Sequence, residues 1–195
     1  MSGTRGQLLR EALAATGSPP TPKPDFAYGY TTSILDTSDN YRRIVERHPQ
    51  VARLSSDILY PFFVVEWKAA RSGGTMCDAE TQAARSGVAL VWARGQLHHL
   101  ATGTYGEAVT SVCVSLTIDS NCALLWVNWY DDRTQHYRMD KVADYMLGRD
   151  REVKELIATI SNIVEWGLED RLRDLRNDMD KVAEGIQKPE VSELN

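Results

Sequence analysis

Glu66-Trp67-Lys68 stands directly after the apolar run Pro61-Phe62-Phe63-Val64-Val65. Strand side chains alternate with period two, so a strand through these residues projects Glu66 and Lys68 from one face and Trp67 from the other. A carboxylate and an ammonium at the mouth of a buried strand suit metal-assisted phosphodiester hydrolysis. The carboxylate holds a divalent cation, and the lysine orients or deprotonates a water or neutralises developing charge. The plain alternative is a surface ion pair at a strand end.

A hard cation such as Mg2+ usually takes one or two protein carboxylates, so a second acid should reach Glu66. Asp57 lies nine residues upstream on the same segment, roughly 30 Å away in extended chain, and would need a reversal at Leu59-Tyr60-Pro61. Asp25, 41 residues upstream, opens a different strand and can converge on Glu66 if the two strands pair. Asp25 is the preferred partner. Its plain alternative is a turn or cap aspartate after Pro24.

The elements that must position these groups follow from the pattern. Asp25 to Thr31 alternates aromatic and small residues and reads as a strand. Asp39 to Leu54 reads as helical, interrupted near Pro49, and Ile58 to Lys68 as the central strand. Four consecutive large apolar residues, Phe62 to Val65, predict burial on both faces. After the turn Ser72-Gly73-Gly74-Thr75, a helix capped by Thr75 or Asp78 runs to about His98, with Ala79, Ala83, Ala84 and Gly87 allowing close packing on a sheet. Ser111–Ile118 and Cys122–Tyr130 form a hairpin around Asp119-Ser120-Asn121. A short strand or loop lies near Tyr137–Met139. Apolar residues at steps of mostly three and four from Val153 to Val182 predict a long amphipathic helical region, with a break marked by Gly167.

The fold class is therefore α/β, with a central mixed sheet of about four or more strands flanked by helices and a long C-terminal amphipathic helical region. Gln7 to Ala15 reads as a short helix within an N-terminal segment 1–17. Residues 18–24 form an extended connector, because four prolines in six residues exclude helix and interior strand. The main domain spans 25–186, and 187–195 reads as a tail.

At 195 residues and 43% hydrophobic content the chain has ordinary globular composition. Cys77, Cys113 and Cys122 lack CxxC spacing, which argues against structural zinc and a disulfide framework and for reduced, intracellular thiols. No apolar run is long enough for a membrane span and no secretory leader is visible, so a nuclear or cytoplasmic location and no membrane partner are expected. The net charge of −5 argues against nonspecific coating of nucleic acid, but it is uneven: residues 1–100 carry 11 Lys/Arg against 9 Asp/Glu, and residues 101–195 carry 11 against 18. Arg42, Arg43, Arg47 and Arg53, and then Arg71, Arg85 and Arg94, could form a phosphate-facing surface or ordinary solvated helix charge.

Pro24-Asp25, then Glu66-Trp67-Lys68, then a helix carrying Gln82, resembles the PD-(D/E)xK nuclease superfamily. The stretches Pro24 to Tyr30, Ser56 to Lys68 and Gly73-Gly74-Thr75 look more closely like a fungal PD-(D/E)xK nuclease-like domain family, over roughly residues 20–185. The resemblance implies a restriction-endonuclease-like core, Asp25 and Glu66 as ligands of Mg2+ or Mn2+, Lys68 as catalytic lysine, and a nucleic-acid substrate, DNA or RNA. It maps a glutamine of some branches onto Gln82 and a first-helix glutamate of others onto Glu11. Ser86 stands where exonuclease-like branches carry a tyrosine four residues after that glutamine. A nuclease-like module without catalysis, binding nucleic acid or a protein, is the alternative.

The remaining candidates read plainly. His98 and His99 point apart on a helix end as exposed imidazoles, Trp126, Trp129 and Tyr130 are core rather than base-stacking platforms, and Asp131-Asp132-Arg133 is a turn. No Gly-rich phosphate loop or Ser-His-Asp arrangement is visible.

Overall fold

The computed structural model describes residues 23–35, 40–47, 58–68, 73–104 and 112–187. Five strands form one mixed sheet in sequence order: β1 (Phe26–Tyr30), β2 (Leu59–Trp67), β3 (Cys113–Ile118), β4 (Cys122–Asp131) and β5 (His136–Met146). β2 pairs antiparallel with β1 and parallel with β3, while β3, β4 and β5 form an antiparallel meander. The apolar run thus lies in an interior strand, second from the edge. Its residues from Leu59 to Glu66 are buried.

The parallel β2–β3 pair needs a crossover, and α3 (Met76–Thr102) supplies it, after the short helices α1 (Thr32–Leu35) and α2 (Asn40–Arg47). Thr75 caps α3: its hydroxyl accepts the Asp78 N–H while the Asp78 carboxylate accepts the Thr75 N–H. Thr75 is therefore the cap and Asp78 the acid of its capping box. The helix stops at Gly103, whose φ of 76° is the left-handed conformation that ends helices. It extends one turn beyond His98.

Alternation gives the sheet two unlike faces. Toward α3 it presents Val64, Glu66, Cys113, Ser115, Thr117 and Asn128. Val64 packs with Leu90, Val91 and Cys113, and the Cys113 thiol donates to the Gly87 carbonyl at 3.7 Å. Buried polar groups on this face pair with one another: Asn128 donates to Ser115 Oγ at 2.9 Å, and the Trp126 indole to Thr117 Oγ1 at 3.0 Å. A side chain at Gly87 would collide with Asn128, so the absent Cβ sets the helix–sheet distance. The opposite face carries Phe63, Val65, Val114, Leu116 and Leu125 into the main core.

α4 (Asp150–Trp166), a π-helical turn (Gly167–Arg171) and α5 (Leu172–Gln187) run on continuously. The break expected at Gly167 is this π turn. The Tyr30 hydroxyl donates to the Gly167 carbonyl at 2.6 Å, and a Cβ on Gly167 would collide with the Phe62 ring. An outside donor and a close aromatic thus loosen the helix ladder at one place. From that turn Arg171 reaches back to the Val112 and Pro61 carbonyls, at 3.1 and 3.4 Å. Burial lowers its pKa to about 10.

β5 is eleven residues long where the sequence suggests a short strand near Tyr137–Met139. Arg138, Asp140, Lys141 and Asp144 interrupt its apolar pattern, and only Tyr145 in it is buried. As an edge strand it can carry such charges, which also discourage pairing with other chains. Trp126, Trp129 and Tyr130 are half-buried rather than core, with the Trp129 indole bonded to Asp140 at 2.7 Å. The turn expected at Asp131-Asp132-Arg133 falls at residues 132–135, just after β4, and Asp131 braces it by accepting from Arg133 N. The three cysteines are free. The segment expected to form an N-terminal helix, most of the proline connector and residues 188–195 lie outside the described residues.

Candidate active site

Pairing of β1 with β2 decides where the acids sit. Phe26 is registered against Val65, so Asp25, one residue earlier, comes beside Glu66 and Trp67. The Asp25 carboxylate accepts the Trp67 N–H at 2.6 Å across 42 positions of sequence. Asp25 is solvent-exposed and open to a ligand. Asp57 and Glu11 lie outside the described residues.

Glu66 is 1% exposed, with Oε1 accepting the Ser86 hydroxyl at 3.1 Å. Ser86 itself is buried on α3. Burial raises the Glu66 pKa to about 7; the Ser86 hydrogen bond opposes that rise, the Asp25 charge adds to it, and the Lys68 charge opposes it. Lys68 leaves the end of β2 with its N–H on the Ile118 carbonyl at 2.9 Å. Gly74 leaves room for its stem: a Cβ there would sit 2.7 Å from Lys68 Cδ. Trp67, 52% exposed, points to the opposite side as alternation requires.

Gln82 is exposed one helical turn before Ser86 and so lies on the same side of α3. Ser86 is the residue that sequence reading missed. A hydroxyl in a run of small residues looks like packing, and only the register of α3 on β2 turns it toward a carboxylate. Of the arginines expected to face phosphate, Arg42, Arg43 and Arg85 are exposed, whereas Arg53 and Arg71 lie outside the described residues. Arg94 is buried in an ion pair with Asp178 at 2.6 Å. His98 shares that aspartate at 2.9 Å, so it is a half-buried structural partner rather than an exposed imidazole. His99 is half-buried as well.

Among the described residues no three His, Cys, Asp or Glu side chains gather as a metal-binding cluster. Two carboxylates remain a sufficient donor set for a hard cation that keeps most of its waters. No described helix is long and apolar enough to cross a membrane. A family model described as a domain of unknown function, DUF7924, matches residues 5–179, and the chain belongs to that family. No curated protein and no solved structure matches it.

Proposed function

We propose that this DUF7924 domain is a nuclease dependent on Mg2+ or Mn2+, hydrolysing phosphodiester bonds of DNA or RNA. One observation carries the reading: the pairing of β1 with β2, far apart in sequence, brings Asp25 beside the buried Glu66. Acids held together without a full complement of positive charge favour a cation between them, and their oxygens suit a hard divalent ion. When bound, the ion supplies Lewis acidity at the scissile phosphate and activates water. Asp25 and Glu66 bind and orient it. Lys68 holds the attacking water or stabilises the negative charge that grows on the phosphate. Gln82 and Arg85, exposed on α3, would hold flanking phosphates.

A second reading, a nuclease-like module that binds without cutting, draws on the burial of Glu66. A carboxyl with a pKa near 7 is half protonated at neutral pH and must ionise to hold metal.

The deciding experiment measures cleavage of plasmid, single-stranded DNA and RNA with Mg2+ or Mn2+, alongside the metal-induced shift in Tm. Cleavage that stops with EDTA, a Tm rise lost in Asp25→Asn, and Lys68→Ala that keeps fold and Tm shift but loses turnover establish the nuclease. A pure, folded protein showing neither cleavage nor a metal-induced shift at pH 8 leaves the binding module.

A further inference from the structure

α4 meets the core through a narrow side. Leu156 is its one buried residue, with Ile160, Ile163 and Trp166 half-buried against the core. Much of its remaining apolar surface faces outward: Ile157 is 59% exposed, and Leu168 in the π turn 47%. Ile157, Ser161, Val164 and Leu168 follow at steps of four, three and four, so they form one stripe. Along its C-terminal half the stripe hollows into a shallow depression of about 440 Å³, lined by Ile160, Ser161, Val164 and Leu168 and edged by Glu165 and Glu169. Ile157 stands as a knob just before it. The charges divide the same way. Arg149 pairs with Glu152, Arg151 with Glu155 and Arg173 with Asp170. Lys154, Glu165 and Glu169 enter no ion pair among the described residues. The lone cation thus flanks the knob, and the lone anions flank the hollow.

We propose that α4 is the interface of a two-fold dimer of this chain, with the two α4 helices antiparallel and Ile157 of each copy seated in the depression of the other. A two-fold interface must be self-complementary, because each residue meets in the second copy the residue that meets it. This stripe carries both halves, knob with hole and cation with anions. Opposing Ile157 to Val164 fixes the register. Lys154, three residues before Ile157, then comes level with Gly167, three residues after Val164. There it lies within about 3 Å along the axis of both Glu165 and Glu169 of the second copy. Ser161 falls nearest the two-fold axis. Its hydroxyl already donates to the Ile157 carbonyl at 3.0 Å, so covering it strands no donor. The acidic edge favours a second copy over a nucleic acid, whose phosphates it would repel. One helix pair is a small contact, below the roughly 1,200 Å² of a standard interface, so the dimer is weak and concentration-dependent.

Sedimentation equilibrium on the full chain, from about 1 to 300 µM at low salt, reads the association. The wild type should dimerise. Ile157→Asp should weaken the dimer at least about tenfold, whereas Val142→Ser, at an exposed apolar position on β5, should leave it unchanged. Charge reversal tests the register with surface changes that leave the core alone. Lys154→Glu by itself, and Glu165→Lys/Glu169→Lys by itself, should each associate about tenfold more weakly, because like charges then meet at both ends of the helix pair. An equimolar mixture of these two variants should dimerise about as well as the wild type, since both ends again oppose unlike charges. Circular dichroism of each variant separates a lost dimer from a lost fold. A wild type that stays monomeric across the range overturns the proposal, as does a dimer indifferent to Ile157→Asp in a folded chain. A wild-type dimer whose charge-reversed variants do not recover on mixing overturns the antiparallel arrangement.

Discussion

Ser86 stands twenty positions after Glu66, on the helix that crosses from β2 to β3, and its hydroxyl donates to Glu66 Oε1 at 3.1 Å. A serine buried between helix and sheet would ordinarily satisfy itself on a backbone carbonyl. Here it holds one oxygen of the least exposed acid in the site. The bond opposes the effect of burial on that acid, and Asp25 acts the other way.

Protonation of Glu66 should couple stability to pH. In the unfolded chain its pKa is about 4.5, and in the fold about 7. Between these values the folded state binds the extra proton, so stability falls as pH rises through the window and the loss is complete above the folded pKa. The difference corresponds to roughly 3 kcal/mol at most. Without metal, Tm should decline from pH 5 to 8 by more in the wild type than in Glu66→Gln. Parallel Tm–pH curves for the two proteins would place the Glu66 pKa at an ordinary value.

Asp25→Asn and Ser86→Ala should move that titration in opposite directions. Removing the Asp25 charge lowers the Glu66 pKa, while removing the Ser86 hydroxyl raises it and destabilises the ionised fold by about 1 kcal/mol. Metal competes with the proton, so the pH at which Mg2+ begins to raise Tm should climb in Ser86→Ala. NMR titration of the Glu66 carboxyl carbon reads both variants directly. A shift of the same sign in both would show that one of them disturbs the fold around Glu66.

Arg94 and Asp178 are buried and join α3 to α5. Asp178→Asn leaves a buried guanidinium without its counter-charge and should destabilise by about 3–5 kcal/mol. Arg94→Met/Asp178→Leu removes both charges and should recover much of that loss, because apolar groups of similar volume need no partner. Urea denaturation of the two variants makes the comparison. A double variant as unstable as the single would mean that the pair, with His98, contributes more than its own desolvation.

Local pattern alone determined a good part of this protein. The apolar run from Pro61 to Val65 specified a buried strand, Thr75 with Asp78 specified where α3 starts, and the alternation on either side of Asp119-Ser120-Asn121 specified the β3–β4 hairpin. These features depend on neighbours within a few positions, so the sequence carries them openly. That Glu66 turns inward and Trp67 outward was legible for the same reason, since period-two alternation is a property of any strand. The choice of Asp25 rested on an assumed pairing of two strands, and the register of Phe26 on Val65 supplies it. What tertiary structure alone decided depends on contacts between distant segments. Arg94 and His98 looked like surface charge until α5 brought Asp178 against them. β5 looked like no more than a short strand or loop because an edge strand need not bury its charged residues. The π turn at Gly167 exists because Tyr30 and Phe62, more than a hundred positions away, press on one point of a helix whose own sequence marks only a glycine. The acidity of Glu66 belongs to the same class: desolvation is set by everything packed around a side chain, and no window of neighbouring residues contains it.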